Sequence, residues 1–252
     1  MNKPQVKILT YAELASTNTT AAGLGESAGH GTAVRAISQT AGRGQRGNTW
    51  ESAPGLNATF SLILRPEKWP ARRQFELSMA VSVAICRALE HSLGSGDSVM
   101  IKWPNDIYVG DRKLCGILIE NSLAGQMLGR MIVGIGVNLN QTVFVSDAPN
   151  PVSLKQLTGR GFDVEKVVGD VCGQIVQDVD AYVAAPDLAR LSDEYHRRLW
   201  RFDGKKYKWL DAATGVVFDA RITGVAPDGM FGLSDDKGKA RTYAFKEVQA
   251  IL

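Results

Sequence analysis

The segment Thr40–Ala53, TAGRGQRGNTWESA, holds three glycines and two arginines and almost no apolar residue. It offers no apolar face, so it cannot be buried as a helix or a strand. It must be a surface loop slung between two elements that can be buried. Before it, Thr32–Gln39 (TAVRAISQ) alternates apolar and polar residues and predicts a strand. After it, Asn57–Arg65 (NATFSLILR) predicts a second strand.

The remaining pattern fixes the fold class. Ser16-Thr17-Asn18 offers cap side chains to a short, glycine-weakened helix over Thr19–Ala28. From Ala71 to Leu93 the apolar residues Phe75, Met79, Val83 and Cys86 recur at helical spacing, which predicts a core-facing helix. Val99–Trp103 reads as a strand ended by Pro104. Ile107–Val109 and Lys113–Glu120 flank Gly110-Asp111, a hairpin turn, and Met127–Asn138 reads as a buried strand. Strands joined by hairpins, with a helix inserted, predict α+β with a mixed sheet and flanking helices. A long amphipathic helix follows through Val164, Val167, Val168, Val171, Ile175, Val179 and Tyr182, then a second helix at about Leu188–Leu199. Beyond Trp200, Val216, Phe218, Ala220 and Ile222 alternate strictly, and turn signals stand at Ala213–Gly215, Pro227–Gly229 and Asp235–Gly238. Four or five short strands in this stretch predict a small all-β barrel. The boundary falls near Phe202-Asp203-Gly204, giving a catalytic domain over 1–202 and a C-terminal domain over 203–252.

Composition narrows the function classes. With 44% hydrophobic and 22% charged residues, the chain is neither disordered nor collagen-like. No apolar run approaches the ~18 residues of a membrane span, and Met1–Thr10 does not resemble a signal peptide. The net charge of +3 is too mild to argue for nucleic acid. The cysteines (Cys86, Cys115, Cys172) and the histidines (His30, His91, His196) are scattered. No disulfide framework or metal site is expected, and the cysteine usage fits a reduced cytoplasm.

The candidate chemistry lies in three segments. In the loop Gly42–Asn48, glycines let the backbone approach a ligand, and guanidiniums give forked donors matched to carboxylate or phosphate. It is not GxxxxGK[ST] and opens no predicted helix, so it is not a common nucleoside-triphosphate loop. With few apolar anchors, it is expected to be mobile until a ligand orders it. Trp50 either stacks on a planar ring or pins the loop to the core. In Lys102-Trp103-Pro104-Asn105-Asp106, a lysine at a strand end is held in place by a strand-breaking proline. In Gly134–Asn140 (GIGVNLN), glycines interrupt an apolar strand, either as a bulge or where something approaches the backbone closely. No Ser-His-Asp constellation and no paired catalytic carboxylates are visible. A cationic, glycine-lined site suits the joining of two anions, such as a carboxylate and a triphosphate, by positioning and charge neutralisation.

Taken together, Ser16-Thr17-Asn18, Gln39, GRGQRGNTW (Gly42–Trp50), KWPNDIYVGDRKLCGILIE (Lys102–Glu120) and GIGVNLN (Gly134–Asn140) resemble the biotin–protein ligase family in order and spacing. The resemblance covers nearly the whole chain and implies an SH3-like C-terminal barrel. It implies that biotin's carboxylate attacks the α-phosphate of ATP, with Mg²⁺, giving biotinyl-5′-AMP and pyrophosphate. A lysine of a biotin carboxyl carrier protein or domain then takes the biotinyl group and AMP leaves. The resemblance places biotin against Ser16, Thr17, Asn18 and Gln39, with the loop residues Gly42, Arg43, Gly44 and Gln45. Lys102, Gly116 and Gly134 complete that set. It places the adenylate against Arg43, Arg46, Trp50, Lys102, Asn105 and Asn138, and gives Lys102 and Arg43 the catalytic roles.

Many relatives carry arginine where this chain has Gln45, which bears on how firmly the adenylate is retained. Only fifteen residues precede Ser16, too few for the winged helix-turn-helix of repressor relatives, so no DNA binding is expected. A sheet-edge homodimer is compatible with such a fold. A related lipoate or octanoate ligase or transferase is the nearest alternative, and a non-enzymatic binding module built on the barrel is a more distant one.

Overall fold

A computed structural model describes residues 6–94, 98–145 and 150–252, and of Arg46 the backbone alone. Seven strands form one mixed sheet: β1 (Lys7–Leu14), β2 (Thr32–Gln39), β3 (Ala58–Leu64), β4 (Val99–Lys102), β5 (Asp106–Val109), β6 (Arg112–Ala124) and β7 (Met127–Val137). Their order across the sheet is β1-β2-β3-β7-β6-β5-β4. Only β1 and β2 run parallel; the other neighbours are antiparallel. The expected mixed sheet is present.

The period-2 alternation of strands divides the sheet into two unlike faces. On β7, Met131, Val133, Ile135 and Val137 enter the main core, with Phe60, Leu62 and Leu64 of β3 beside them. That face is covered by α2 (Gln74–Glu90), which packs on α4 (Val164–Ala184) and α5 (Leu188–Arg197). The even residues of β7 face the other way. Ile132 joins a small second core with Ala21, Ala28, Val34 and Ile63, under the short helix α1 (Thr17–Gly23). Beside it stand Gly134 and Gly136, where the surface is hollow.

A second, antiparallel sheet follows, made of β8 (Tyr207–Asp211), β9 (Val217–Val225), β10 (Phe231–Asp235), β11 (Ala240–Tyr243) and β12 (Val248–Ala250). Its order is β11-β10-β9-β8-β12, which leaves β11 and β12 as its two edges. Trp209, Phe231 and Leu233 belong to the same continuous core as the main sheet. Among the described residues no helix is long and apolar enough to cross a membrane.

Several boundaries differ from the sequence reading, most of all those of the helices. The first helix starts at Thr17 rather than Thr19 and stops at Gly23, ahead of Gly25 at φ +57°, rather than running to Ala28. The helix predicted over Ala71–Leu93 is α2, preceded by a 3-10 turn over Ala71–Arg73. The last helix ends at Arg197, before Leu199 joins β4. Strand β1 and the short helix α3 (Leu154–Thr158), fixed by a capping box between Ser153 and Gln156, were not foreseen.

Candidate active site

The hollow face of the sheet is built on three glycines. Gly116 and Gly136 are register partners on β6 and β7. A Cβ on Gly136 would lie 2.3 Å from Trp50 Cε2, and one on Gly116 would lie 2.8 Å from Trp50 Cζ3. The indole of Trp50 therefore rests on bare backbone, a contact only glycine permits. Its Nε1 is buried with no hydrogen-bond partner among the described residues. A Cβ on Gly134 would lie 2.2 Å from Asn18 Oδ1. These glycines make a floor, and no register shift is recorded at them between β6 and β7.

A chain of polar side chains rises from this floor at the start of α1. Thr17 N–H donates to Gln39 Oε1 at 2.9 Å. Ser61 Oγ lies 2.5 Å from Asn18 Oδ1 and 2.8 Å from Thr17 Oγ1. If the serine donates to the amide oxygen, the threonine hydroxyl is left to donate to the serine. Asn18 Nδ2 donates to Glu120 Oε2 at 2.7 Å and to the Leu118 carbonyl at 3.3 Å. Ser16, Thr17, Asn18 and Ser61 are all buried. Ser16 occupies the N-cap position of α1, but its side chain makes no capping bond.

The glycine-rich loop folds back on itself. Gly44 N–H donates to Asn48 O at 2.6 Å, Trp50 N–H donates to Gly42 O at 3.0 Å, and Arg43 bridges Thr49. Gly42 is needed for this closure, because a Cβ there would lie 2.8 Å from Trp50 O. Arg43 Nη2 reaches Glu120 Oε2 at 2.9 Å, so one carboxylate oxygen receives both Asn18 and Arg43. Lys246, from the turn between β11 and β12, donates to Gln45 O at 3.3 Å.

Lys102 ends β4 opposite Asp106 in register. Asp106 pairs instead with Lys113, at 2.8 Å. Burial chiefly lowers the Lys102 pKa below the ordinary lysine value; Lys113 and Arg201 push in the same direction and Asp106 opposes them. Asn105 clips the turn to β6: its Nδ2 donates to Ile117 O at 2.7 Å, and Ile117 N–H returns to Asn105 O at 2.9 Å.

These pieces enclose a cavity of about 910 Å³ between the two sheets. The structure brings Ser16, Thr17, Asn18, Gln39, Arg43, Gly44, Gln45, Trp50, Lys102, Asn105, Gly116 and Gly134 to its wall. Gly42 lies instead at a smaller hollow of about 370 Å³, beside Glu120. Asn138 is outside both; it is buried, and its Nδ2 donates to Val152 O at 3.2 Å. The Arg46 side chain lies outside the described residues. Of the wall residues, sequence reasoning gave no role to Gly136, Lys113, Tyr108, Trp200 or Lys246, and it gave none to Glu120 beside them. Gly136 had a signal, since it stands two residues from Gly134 and so on the same strand face.

The second sheet supplies an aromatic wall. Trp103 stacks on Phe231 with ring centroids 4.7 Å apart and donates from Nε1 to Gly229 O at 3.1 Å. Among the described residues no group of three or more His, Cys, Asp or Glu side chains could hold a metal. Asp106 is the one carboxylate among the described residues of the cavity wall. That donor set fits Mg²⁺ carried in on phosphates, which needs one or two carboxylates rather than a protein cage.

Comparison with known proteins gives the chain a family. Residues 12–138 match the model of the biotin/lipoate A/B protein ligase family. The chain is 36% identical over 211 residues to a biotin–[acetyl-CoA-carboxylase] ligase of Paracoccus denitrificans, covering 81% of each chain. It is 37% identical over 167 residues to the bifunctional ligase/repressor BirA of Bacillus subtilis, covering 64% of this chain and half the length of that protein. The fold superposes on biotin protein ligase from Aquifex aeolicus, solved in complex with biotin and ATP, with a TM-score of 0.78 at 23% identity, over 97% of this chain and 98% of that one. On the extent of the family match and of the Paracoccus likeness, the chain belongs to the biotin/lipoate A/B protein ligase family.

Proposed function

We propose that this chain is a biotin–protein ligase, which joins biotin to a lysine of a biotin carboxyl carrier protein or domain through biotinyl-5′-AMP. One observation carries the reading. Segments far apart in sequence place a cationic loop (Arg43), a strand-end lysine (Lys102) and a buried polar chain (Gln39, Thr17, Asn18) around one glycine floor. The polar chain presents donors and acceptors for a neutral, hydrogen-bonding ring. In this reading the two cations offset the repulsion between a carboxylate and a triphosphate.

In the first step the biotin carboxylate oxygen bonds to the α-phosphorus and pyrophosphate leaves. Lys102 and Arg43 stabilise the negative charge gathered on the phosphoryl oxygens, and the loop excludes water from the mixed anhydride. Asp106, shared with Lys113, would hold a Mg²⁺ carried in on the phosphates, and that ion would supply further charge neutralisation. In the second step the neutral amine of the acceptor lysine bonds to the biotinyl carbonyl carbon. AMP leaves, carrying the bridging oxygen, and the amine's proton passes to solvent. Trp50 offers its ring to the adenine while resting on Gly116 and Gly136, so packing on the sheet and stacking on a ligand coexist.

In this reading residues 203–252 form an SH3-like domain with an open seam between β11 and β12, and residues 1–202 form the catalytic domain. Inward-facing Trp209, Ile222, Phe231, Leu233 and Val248 support that reading. A cytoplasmic enzyme is consistent with three free, buried cysteines.

The test is pyrophosphate release from ATP·Mg²⁺ with biotin or lipoate, followed by transfer to a purified acceptor domain. Release with biotin, and a mass gain on the acceptor, supports the reading. Release with lipoate alone replaces it with the lipoyl branch of the family.

A further inference from the structure

We propose that Trp200, with Tyr108, is the positioning residue for Lys102: their aromatic faces seat its ammonium in the cavity without a carboxylate partner, leaving its charge for the reacting anions. This rests on the reading of Lys102 as a catalytic cation.

The seat starts in the backbone. Ile101, next to Lys102, donates its N–H to Arg198 O at 2.7 Å and accepts from Trp200 N–H at 2.9 Å. Residues 198–200 thus run beside β4 as a short parallel partner, with Leu199 opposite Ile101. This fixes Trp200 next to the strand end that carries Lys102. The indole is then held in its own plane, since Nε1 donates to Gly110 O at 3.0 Å and to Asp111 Oδ1 at 3.1 Å. Tyr108 packs against it with ring centroids 5.4 Å apart. Both rings are buried. Lys102 Nζ lies 5.1 Å from the Tyr108 ring centroid and 5.9 Å from that of Trp200. Both distances are inside the ~6 Å reach of a cation–π contact.

The neighbouring charges explain why rings do this work. The carboxylate best placed to neutralise Lys102 is its register partner Asp106, which is taken by Lys113. Among the described residues no carboxylate stands within ion-pair distance of Lys102. A carboxylate there would compete with the incoming anions and occupy the ammonium's donors. A π face attracts the charge and leaves the three N–H donors uncommitted. Burial disfavours the charged lysine, and the two rings return part of that loss. Arg201 also lies over the Trp200 ring, at 4.0 Å, so the indole serves two cations.

The test is a double-mutant cycle on the full chain, reading pyrophosphate release with biotin and ATP·Mg²⁺. Trp200→Leu is expected to lower kcat about tenfold, the scale of a desolvated cation–π contact. Trp200→Phe, which keeps a ring, is expected to recover most of that loss. In a Lys102→Ala background, Trp200→Leu and Trp200→Phe should release pyrophosphate at the same rate. Tetrafluorotryptophan placed at 200 keeps the shape and the N–H but weakens the π face, and it should lower kcat even if Trp200→Leu does not fold. Full additivity with a slow Lys102→Ala, or an unchanged rate with the fluorinated ring, would overturn the seat while leaving Lys102 catalytic. A Lys102→Ala protein running at the normal rate would remove the catalytic lysine, and the seat with it.

Discussion

The indole of Trp50 fills the volume that a side chain at Gly136 would need, with 2.3 Å between Trp50 Cε2 and the position of the missing Cβ. The three atoms nearest that position all belong to this one ring, so Gly136→Ala should leave β7 in place and push the ring off the floor. The expected outcome is a folded protein with an ATP KM raised about tenfold, the size of a lost aromatic stacking contact plus the cost of a displaced ring. Steady-state kinetics with a near-UV dichroism spectrum would check it. A displaced ring with an unchanged ATP KM would reduce Trp50 to an anchor.

Lys102→Met should separate activity from stability. Loss of the charge is expected to slow adenylate formation by ~10²-fold or more, the scale of a lost electrostatic donor. Lys102→Arg should rescue poorly, because a planar fork does not replace a point charge. Burial holds the folded Lys102 pKa below the unfolded value, so the ammonium works below the folded pKa and is lost as pH rises through it. Between the two pKa values the unfolded chain binds more protons, so stability rises with pH in that window, and the charged lysine is a net cost at neutral pH. Lys102→Met should therefore melt no lower than the parent. A lower melting temperature at pH 7 would contradict this, and a normal pyrophosphate-release rate would take Lys102 out of catalysis.

The Arg43–Glu120 pair is half-exposed on both sides, so it should add little to global stability, about 0–1 kcal/mol. Its effect should be local. Glu120→Gln is expected to leave the melting temperature almost unchanged while making the ligand-free loop more sensitive to protease. Biotin plus ATP should restore protection, because the adenylate then provides the anions that Arg43 has lost. Equal cleavage rates in the parent and the variant, without ligand, would show that the loop is held by other contacts.

Retention of biotinyl-AMP should depend on Gln45 and Lys246 together. Lys246 ties the second sheet to the loop through the Gln45 carbonyl. Lys246→Ala is expected to speed dissociation of preformed adenylate several-fold, and Gln45→Arg, which adds a charged donor beside the phosphate, should slow it. Off-rates measured by trapping the released adenylate would check both. Identical off-rates in all three proteins would place retention on Arg43, Lys102 and the ring contacts.

Features carried by contiguous residues were the readable part of the sequence. The loop Gly42–Asn48 and the strand end at Lys102 were legible because their composition excludes a core role. The strands β2, β3 and β7 were legible because their apolar residues must be buried. What escaped depends on pairing between distant segments. Strand β1 sits at an edge and shows no clean alternation of burial, so its parallel union with β2 left no local signal. Lys113 gains meaning only from Asp106 on the neighbouring strand, and Glu120 only from Arg43 in the loop. Asn138 sits in a motif that suggested the adenylate, yet its amide reaches the carbonyl of Val152. Trp200 follows the last helix and carries no periodic signal, and only the hydrogen bond from its N–H to Ile101 O brings it beside Lys102.

The pairing of Gly116 with Gly136 also sets a rule for insertions and deletions. A slip of one residue between β6 and β7 would separate the two glycines and turn branched side chains toward the indole. The hairpin tip, where Leu123 and Met127 are exposed, lies beyond a register shift at Ser122/Leu123 that already absorbs an irregularity. Length changes should therefore be tolerated at the tip and lethal to function between Gly116 and Ser122, even where every core side chain is preserved. The hairpin behaves as a ruler whose zero mark lies under Trp50.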